Sequence, residues 1–232
     1  MSPPRSIGEL AWLDWQSEAI RAGLEPGGGC IAWAGGRGSG KSYLVSGLAC
    51  LLAHCRPGAE IVLAMDSYKS LRDIHLPIMA PLAMSIGATF RATDTEFRFP
   101  GGSVVRLRHL DTPGDPQLGG SPIEGQTLHA IVADECQQID PRYWAMFQSR
   151  LRQSVTDLSG AQCEPLLVTS GLPINSWWCR LTAEVGGRVW RPKTSANTFN
   201  PAHYEAAMRA SLTEAQARAL IDGEEMQPEG LI

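Results

Sequence analysis

Two short stretches hold the side chains best suited to chemistry. The first, "GGRGSGKS" (35–42), fits the phosphate-binding pattern G-x-x-x-x-G-K-[ST] through Gly35, Gly40, Lys41 and Ser42. Glycine-rich backbone in this pattern turns its amides inward, so Gly36, Gly38, Ser39 and Gly40 are expected to cradle phosphates. Lys41 is expected to reach the β- and γ-phosphates of ATP, and Ser42 to ligate Mg²⁺. The second stretch, "IVADE" (131–135), ends an apolar run in two adjacent carboxylates. Hydrolysis of a nucleotide needs one carboxylate for the metal shell and one to orient or activate water. Asp134 takes the first role and Glu135 the second, as general base or water positioner. Glutamate directly after aspartate favours hydrolysis over transfer to a small acceptor.

Three further features accompany these. Arg37 places a permanent cation in the middle of the glycine loop, where Lys41 alone would hold a triphosphate. A second fixed charge suits negative charge that develops as the γ-phosphate departs; the other reading has Arg37 facing solvent or pairing with a carboxylate. Gln16, in "WLDWQSE" (12–18), has an amide able to read an adenine edge, with Trp15 as an apolar wall, unless both simply belong to an amphipathic helix. Thr169 and Ser170, in "VTSGLP" (168–173), are placed to sense the γ-phosphate and relay its loss, or are merely a hydroxyl-rich strand exit.

The elements that must position these residues are legible as alternating strand and helix signals. A helix is expected over about 9–24, a buried strand at 30–34, and a helix over 42–54 with apolar residues at Leu44, Val45, Leu48, Leu51 and Leu52. "RPG" (56–58) stops it before a strand at 59–65, completing a β-loop-α-β unit of a parallel sheet. "FRFPGGSVVRLRHL" (97–110) alternates about a glycine turn and predicts a hairpin. Apolar runs at 128–135 and 164–173 end in polar residues, as strands do where α/β sheets hold their ligands, and the second should neighbour the first. A last strand is expected at 187–194, then helix over 201–223 with a Thr-x-x-Gln capping box at Thr213 and Gln216.

Bulk properties bound the rest. The 232 residues suffice for one large domain, 44% of them hydrophobic and 19% charged, as in an ordinary soluble globular protein. The longest apolar run, 48–53, is far too short to span a bilayer, and "MSPPRSIGEL" lacks the apolar core of a secretory signal, so a cytosolic chain with no membrane partner is expected. Six cysteines without any C-x-x-C pair read as free thiols rather than disulfides or a zinc site. A net charge of −4 argues against a protein that grips nucleic acid alone, and leaves local patches or a multimer.

Taken in order, Gln16, "GGRGSGKS", "FRFPGGSVVRLR", "IVADE", "VTSGLP" and "SANTFNP" (195–201) resemble the ATPase half of a large terminase, over roughly residues 10–225. That family comprises the DNA-packaging motors of tailed bacteriophages. The resemblance implies an α/β fold: an additional-strand P-loop NTPase with a mostly parallel central sheet flanked by helices, plus a small C-terminal lid. It divides the chain into an ATPase core at 1–195 and a lid at 196–232. It implies ATP and Mg²⁺ at Lys41, Ser42 and Asp134, hydrolysis driven by Glu135, coupling to movement at Thr169 and Ser170, and phosphate engagement by Arg37. The partners it implies are double-stranded DNA, a small terminase subunit and a portal on which copies form a homo-oligomeric ring, in the cytoplasm of an infected bacterium.

Two departures stand out. Large terminases continue into an RNase H-like nuclease domain; here the sequence ends at Ile232, so the chain reads as part of a longer protein or a stand-alone ATPase, and no nuclease activity is assigned to it. The family also often carries an arginine about a dozen residues before the acidic pair, offered to a neighbouring subunit's ATP. "DPQLGGSPIEGQ" (115–126) has none, which leaves Arg142, Arg150 and Arg152 as substitutes. Arg98, Arg106 and Arg108, or Arg188, Arg191 and Lys193, are candidates to meet DNA phosphates, though exposed strand charges are commonly just solvated. Two other functions compete: a helicase-like DNA-dependent ATPase, since "DECQ" (134–137) has the look of a DExx box, and a nucleotide-gated ring or scaffold assembly module with little turnover.

Overall fold

Branched and apolar side chains that alternate in period two along short runs, each closed by glycine or polar residues, build one sheet with both faces covered. The computed structural model describes residues 11–110 and 121–226. Its strands are β1 (Gly29–Ala34), β2 (Glu60–Met65), β3 (Thr89–Arg91), β4 (Glu96–Arg98), β5 (Val104–His109), β6 (Ala130–Ala133), β7 (Val155–Thr156), β8 (Gln162–Cys163), β9 (Leu166–Gly171) and β10 (Arg188–Trp190). The helices are α1 (Asp14–Leu24), α2 (Lys41–Cys55), α3 (Tyr68–Ser70), α4 (Leu76–Ser85), α5 (Tyr143–Arg150), α6 (Trp177–Glu184), α7 (Tyr204–Ala210) and α8 (Glu214–Leu220). A π-helical turn, Leu71–His75, joins α3 to α4.

The main sheet is eight-stranded, in the order β10-β1-β9-β6-β2-β5-β4-β3. From β10 to β5 every pairing is parallel, whereas β4 and β3 are added antiparallel at one edge. This is the expected mostly parallel sheet, and β4–β5 is the expected hairpin, with Phe97 opposite Val105. Strand β9 stands between the strand that feeds the glycine loop and the strand that ends in the acidic pair. Both ligand-bearing strand ends therefore open on the same side of the sheet.

Successive residues face opposite cores. Ile31, Trp33, Ile61, Leu63, Val132 and Val168 pack against α1, α2 and α4 through Leu44, Leu48, Leu52 and Leu82. Ala32, Val62, Ile131 and Leu167 pack on the other face against Tyr143, Phe147, Trp177 and Trp178. Burying each such large apolar side chain contributes roughly 1.5–3 kcal/mol before conformational entropy is offset.

The structure differs from the sequence reading in a few places. The expected helix over 201–223 is two helices, because Thr213 is extended (φ −67°, ψ 161°) and caps α8, its hydroxyl accepting from Gln216 N. That capping box is the one read from the sequence; it starts a new helix instead of lying inside a long one. Helix α1 begins at Asp14, while residues 9 and 10 lie outside the described residues. Helices α4, α5 and α6 occupy stretches whose residue spacing marks no element. The free-thiol expectation holds for all six cysteines, of which Cys30 and Cys55 are half-buried and the others buried. No described helix is long and apolar enough to cross a membrane. Of the arginine-free stretch 115–126, the part up to 120 lies outside the described residues.

Candidate active site

The glycine loop leaves β1 and runs directly into α2. Gly40 takes φ +94°, a left-handed conformation that side chains resist, and so points the first amides of α2 out of the helix end. Those orphan N–H groups, with the helix dipole behind them, make an anion-binding mouth. A cleft of about 500 Å³ opens there, lined among others by Arg37, Lys41, Ser42, Tyr43, Glu135 and Gln137.

Lys41 is almost wholly buried, and its ammonium donates to the carbonyls of Gly35 and Gly36, each at 2.8 Å. Burial pulls its pKa down, Asp134 and Glu135 oppose that drop, and Arg37 adds to it. Arg37 is exposed at the mouth of the cleft. Its amide donates to Leu220 O at 2.6 Å and its carbonyl accepts from the Thr194 hydroxyl at 2.7 Å, so its backbone is fixed where the residue lines the cleft.

The two carboxylates differ in environment. Asp134 is fully buried, and neither of its oxygens receives a well-aligned hydrogen bond among the described residues. His75 Nε2 stands 3.3 Å from its Oδ2. Burial alone would raise the Asp134 pKa, but His75, the Ser170 hydroxyl and Lys41 together hold it at about 2. Glu135 lies in the left-handed region (φ 53°, ψ 41°), a conformation costing a non-glycine residue about 1–3 kcal/mol. That turn carries its carboxylate out of the strand line and into the cleft. Burial and the neighbouring Asp134 push its pKa up, against the Gln137 amide and Lys41. Neighbouring acids whose pKa values are pushed apart are suited to different roles: a permanently ionised group and a proton acceptor.

Of the remaining sequence candidates, Ser42 and Gly38 line the same cleft, and Ser39 is buried with its hydroxyl unpartnered among the described residues. Gln16, Thr169 and Ser170 are not among its lining. Gln16 is buried beneath the loop, where its Nε2 donates to Gly40 O at 2.9 Å and its Oε1 accepts from Leu13 N at 2.9 Å. Both ends of the amide therefore hold the loop to the start of α1. Trp15 packs against the α1–α2 core. Thr169 donates weakly to Ile31 O at 3.4 Å, inside the sheet. Ser170, also buried, has its hydroxyl beside Asp134.

The candidate arginines are mostly engaged. Arg142 pairs with Asp140, Arg150 Nε contacts Met146 Sδ, and Arg152 donates to Thr127 Oγ1. None of the three lines the cleft of this chain. Arg98 and Arg106 pair with Glu96, Arg108 donates to Asp94 O, Arg188 pairs with Glu25, and Arg191 with Glu225.

Several site residues escaped the sequence reading. His75 comes from the π-helical turn, a local geometry that concentrates at functional sites, and nothing in its spacing marks it. Asn197 and Asn200 line the cleft and both donate to Gly38 O, at 2.6 and 3.0 Å, from the segment after β10. Their only signal was the "SANTFNP" stretch.

No family model matches the chain, and no curated protein sequence does. Solved structures do. The large terminase of a thermophilic bacteriophage, in complex with ATP-gamma-S, superposes with a TM-score of 0.70 at 13% identity, covering 92% of this chain and 52% of that one. The large terminase ATPase domain of Thermus phage P74-26 matches with a TM-score of 0.65 at 15% identity, covering 95% and 96%. The fold is that of a large-terminase ATPase domain. The large terminase of bacteriophage HK97 matches similarly, with a TM-score of 0.65 at 14% identity, over 94% of this chain and 51% of that one. The chain thus spans about half the length of the thermophilic-phage and HK97 proteins.

Proposed function

We propose that this chain hydrolyses ATP to ADP and phosphate, as the motor ATPase that drives double-stranded DNA into a viral procapsid. The observation that carries this reading is the pair of adjacent carboxylates, one ionised and buried, one strained toward the cleft, facing Lys41 on this fold. The reading places the protein in the cytoplasm of an infected bacterium, acting as a ring of copies with a portal and a small terminase subunit. Residues 1–195 act as the ATPase core and 196–232 as a lid.

Mg²⁺ fits the residues present. Among the described residues Asp134 offers two buried carboxylate oxygens without well-aligned donors, an arrangement costly unless a cation joins it, and Ser42 offers a hydroxyl in the cleft that Glu135, the next residue, lines. When bound, the ion neutralises charge on the phosphate oxygens. The chain's own residues do the rest. Lys41 shifts from the loop carbonyls to the β- and γ-phosphates, and the α2 amides hold the β-phosphate. Glu135 orients a water and accepts its proton as the water oxygen bonds to the γ-phosphorus and the bond to the β–γ bridging oxygen breaks. Arg37 meets the charge that develops on the departing group. Gln16 acts in this scheme by holding Gly40, and Thr169 and Ser170 by linking the loop strand to Asp134.

Glu135→Gln tests the reading. It should bind ATP as the parent does and lose turnover by about 10²–10⁴-fold, the usual worth of a positioned base. A Glu135→Gln protein that keeps full turnover, with or without double-stranded DNA, removes Glu135 as the base.

A further inference from the structure

Gln137 lines the cleft two residues beyond Glu135, and both ends of its amide are used. Its Nε2 donates to Glu135 Oε2. Its Oε1 accepts from Leu172 N at 3.1 Å, immediately past the end of β9. The fit is tight: a Cβ on Gly171 would overlap Gln137 Oε1 and stand 2.8 Å from the Trp178 ring and 3.1 Å from Cys136 N. Gly171 has to be glycine for the amide to reach, although its own φ does not demand it. On its other side, Gly171 O accepts from Gly35 N of the glycine loop at 3.2 Å.

The connection continues beyond Leu172. Met226 N donates to Pro173 O at 2.8 Å and Asn175 N donates to Met226 O at 2.9 Å, a short parallel bridge between the exit of β9 and the segment that follows α8. The glycine loop is held by neighbouring backbone, the last residue of α8 accepting through Leu220 O from Arg37 N and the stretch after β10 through Pro192 O from Gly36 N at 3.0 Å. One amide side chain therefore joins the Glu135 carboxylate to a backbone path that ends in the lid.

We infer that Gln137 is a positioning residue: it sets the Glu135 carboxylate and ties its place to the β9 exit and the lid. The Glu135 side chain leaves a backbone turned into the left-handed region, and the Gln137 amide bond selects which rotamer its carboxylate takes. A carboxylate freed from that contact moves by about an ångström, and misplacement of that size costs on the order of 10²-fold in rate. The same contact gives the lid a stake in the site. When Glu135 turns toward a water over the γ-phosphate, Gln137 must follow it or release it, and Leu172 and the Met226 bridge feel either outcome.

The inference rests on the reading of Glu135 as the base, so Glu135→Gln is run beside each variant. Gln137→Met keeps the length and loses both hydrogen bonds. Gln137→Glu keeps an acceptor for Leu172 N and loses the donor to Glu135. Turnover, KM for ATP and the dissociation constant for ATP-gamma-S are measured for all three, with amide hydrogen exchange at Asn175 and Met226 with and without ATP-gamma-S. Both Gln137 variants should lose about 10²-fold in kcat at unchanged KM and nucleotide affinity. Gln137→Met alone should lose the nucleotide-dependent change in exchange at Asn175 and Met226. Parental kcat in either folded Gln137 variant, beside an inactive Glu135→Gln, overturns the positioning role. Equal losses of kcat and affinity overturn it too. An active Glu135→Gln instead removes the base, and with it anything for Gln137 to position.

Discussion

The burial of Asp134 against His75 gives the sharpest energetic expectation. The perturbation is His75→Ala, Asp134→Asn and the two together. The imidazole is fully buried, with Nδ1 2.8 Å from Ser46 Oγ on α2 and Nε2 3.3 Å from Asp134 Oδ2. The tautomer that uses both contacts accepts the Ser46 hydroxyl at Nδ1 and aims Nε2–H at the carboxylate. Removing the ring costs three things. A contact to an ionised group is worth about 1.5–3 kcal/mol, here toward the lower end because 3.3 Å is long for a charge-assisted bond. The orphaned Ser46 hydroxyl costs about 1–3 kcal/mol. The ring also leaves a cavity, and these terms overlap because one relaxation serves all of them, so His75→Ala should destabilise by about 3–5 kcal/mol.

Only the first contribution depends on the Asp134 charge. In the Asp134→Asn background the cavity and the serine cost persist while the contact to a carboxylate is gone. The coupling energy from the cycle should therefore be about 1.5–2 kcal/mol. Urea unfolding followed by tryptophan fluorescence reads it, since Trp33 and Trp178 are fully buried on opposite faces of the sheet and report global unfolding. The four proteins are compared at one pH and one ionic strength, and their m-values must agree. A coupling below about 0.5 kcal/mol, the level at which independent sites add, refutes the claim that His75 holds this carboxylate.

Two further outcomes test the mouth of the cleft. Arg37→Ala should cut turnover by about 10²-fold or more while ATP affinity changes little, because the guanidinium acts on charge that develops late; equal losses in kcat and affinity make it a binding residue only. Asn197→Ala with Asn200→Ala removes both side-chain donors from Gly38 O, at about 0.5–1.5 kcal/mol each, and should speed amide exchange in α7 and α8 while leaving the β1–β9 amides protected. Exchange that rises equally across the sheet means the two asparagines hold the whole fold and not the segment after β10 alone.

What was legible in the sequence was local. The glycine loop is recognisable because eight consecutive residues carry its whole pattern, and the helix that follows is apolar almost throughout, as its burial on most sides requires. Asp134 and Glu135 could be found because strand ends mark themselves by a switch from apolar to acidic. The strand runs were equally plain, since residues buried on both faces leave little choice but Val, Ile, Leu and Ala. The rest depends on contacts that no spacing encodes. His75 meets Asp134 from a distant part of the chain, through a π-helical turn whose residues look like any helix. Gln16 was legible as a polar residue before the loop, but a bidentate amide has the same appearance whether it reads a base edge or, as here, holds Gly40 O and Leu13 N. The arginines proposed for DNA are plain charges in sequence; Arg98 meets Glu96 two residues along the same strand, whereas the Arg106 pair with Glu96 follows only from the hairpin register that sets the two opposite each other.

The place of β9 explains why movement would be coupled at its exit and not along its length. It is hydrogen-bonded on both sides, to β1 and β6, and every one of its residues is buried. A strand held in that way cannot shift without breaking two ladders and repacking both cores, a loss far beyond what one nucleotide supplies. At Gly171 and Leu172 the ladders end, and three connections converge: Gly35 N from the loop, Gln137 Oε1 from the acidic turn, and, one residue on, Met226 N from the segment after α8. Each is a single hydrogen bond, worth about 0.5–1.5 kcal/mol net, small enough to be exchanged during a turnover. A rigid strand therefore fixes where the glycine loop and the acids sit relative to one another. The point where it stops being rigid is where a change at Glu135 can be felt outside the site.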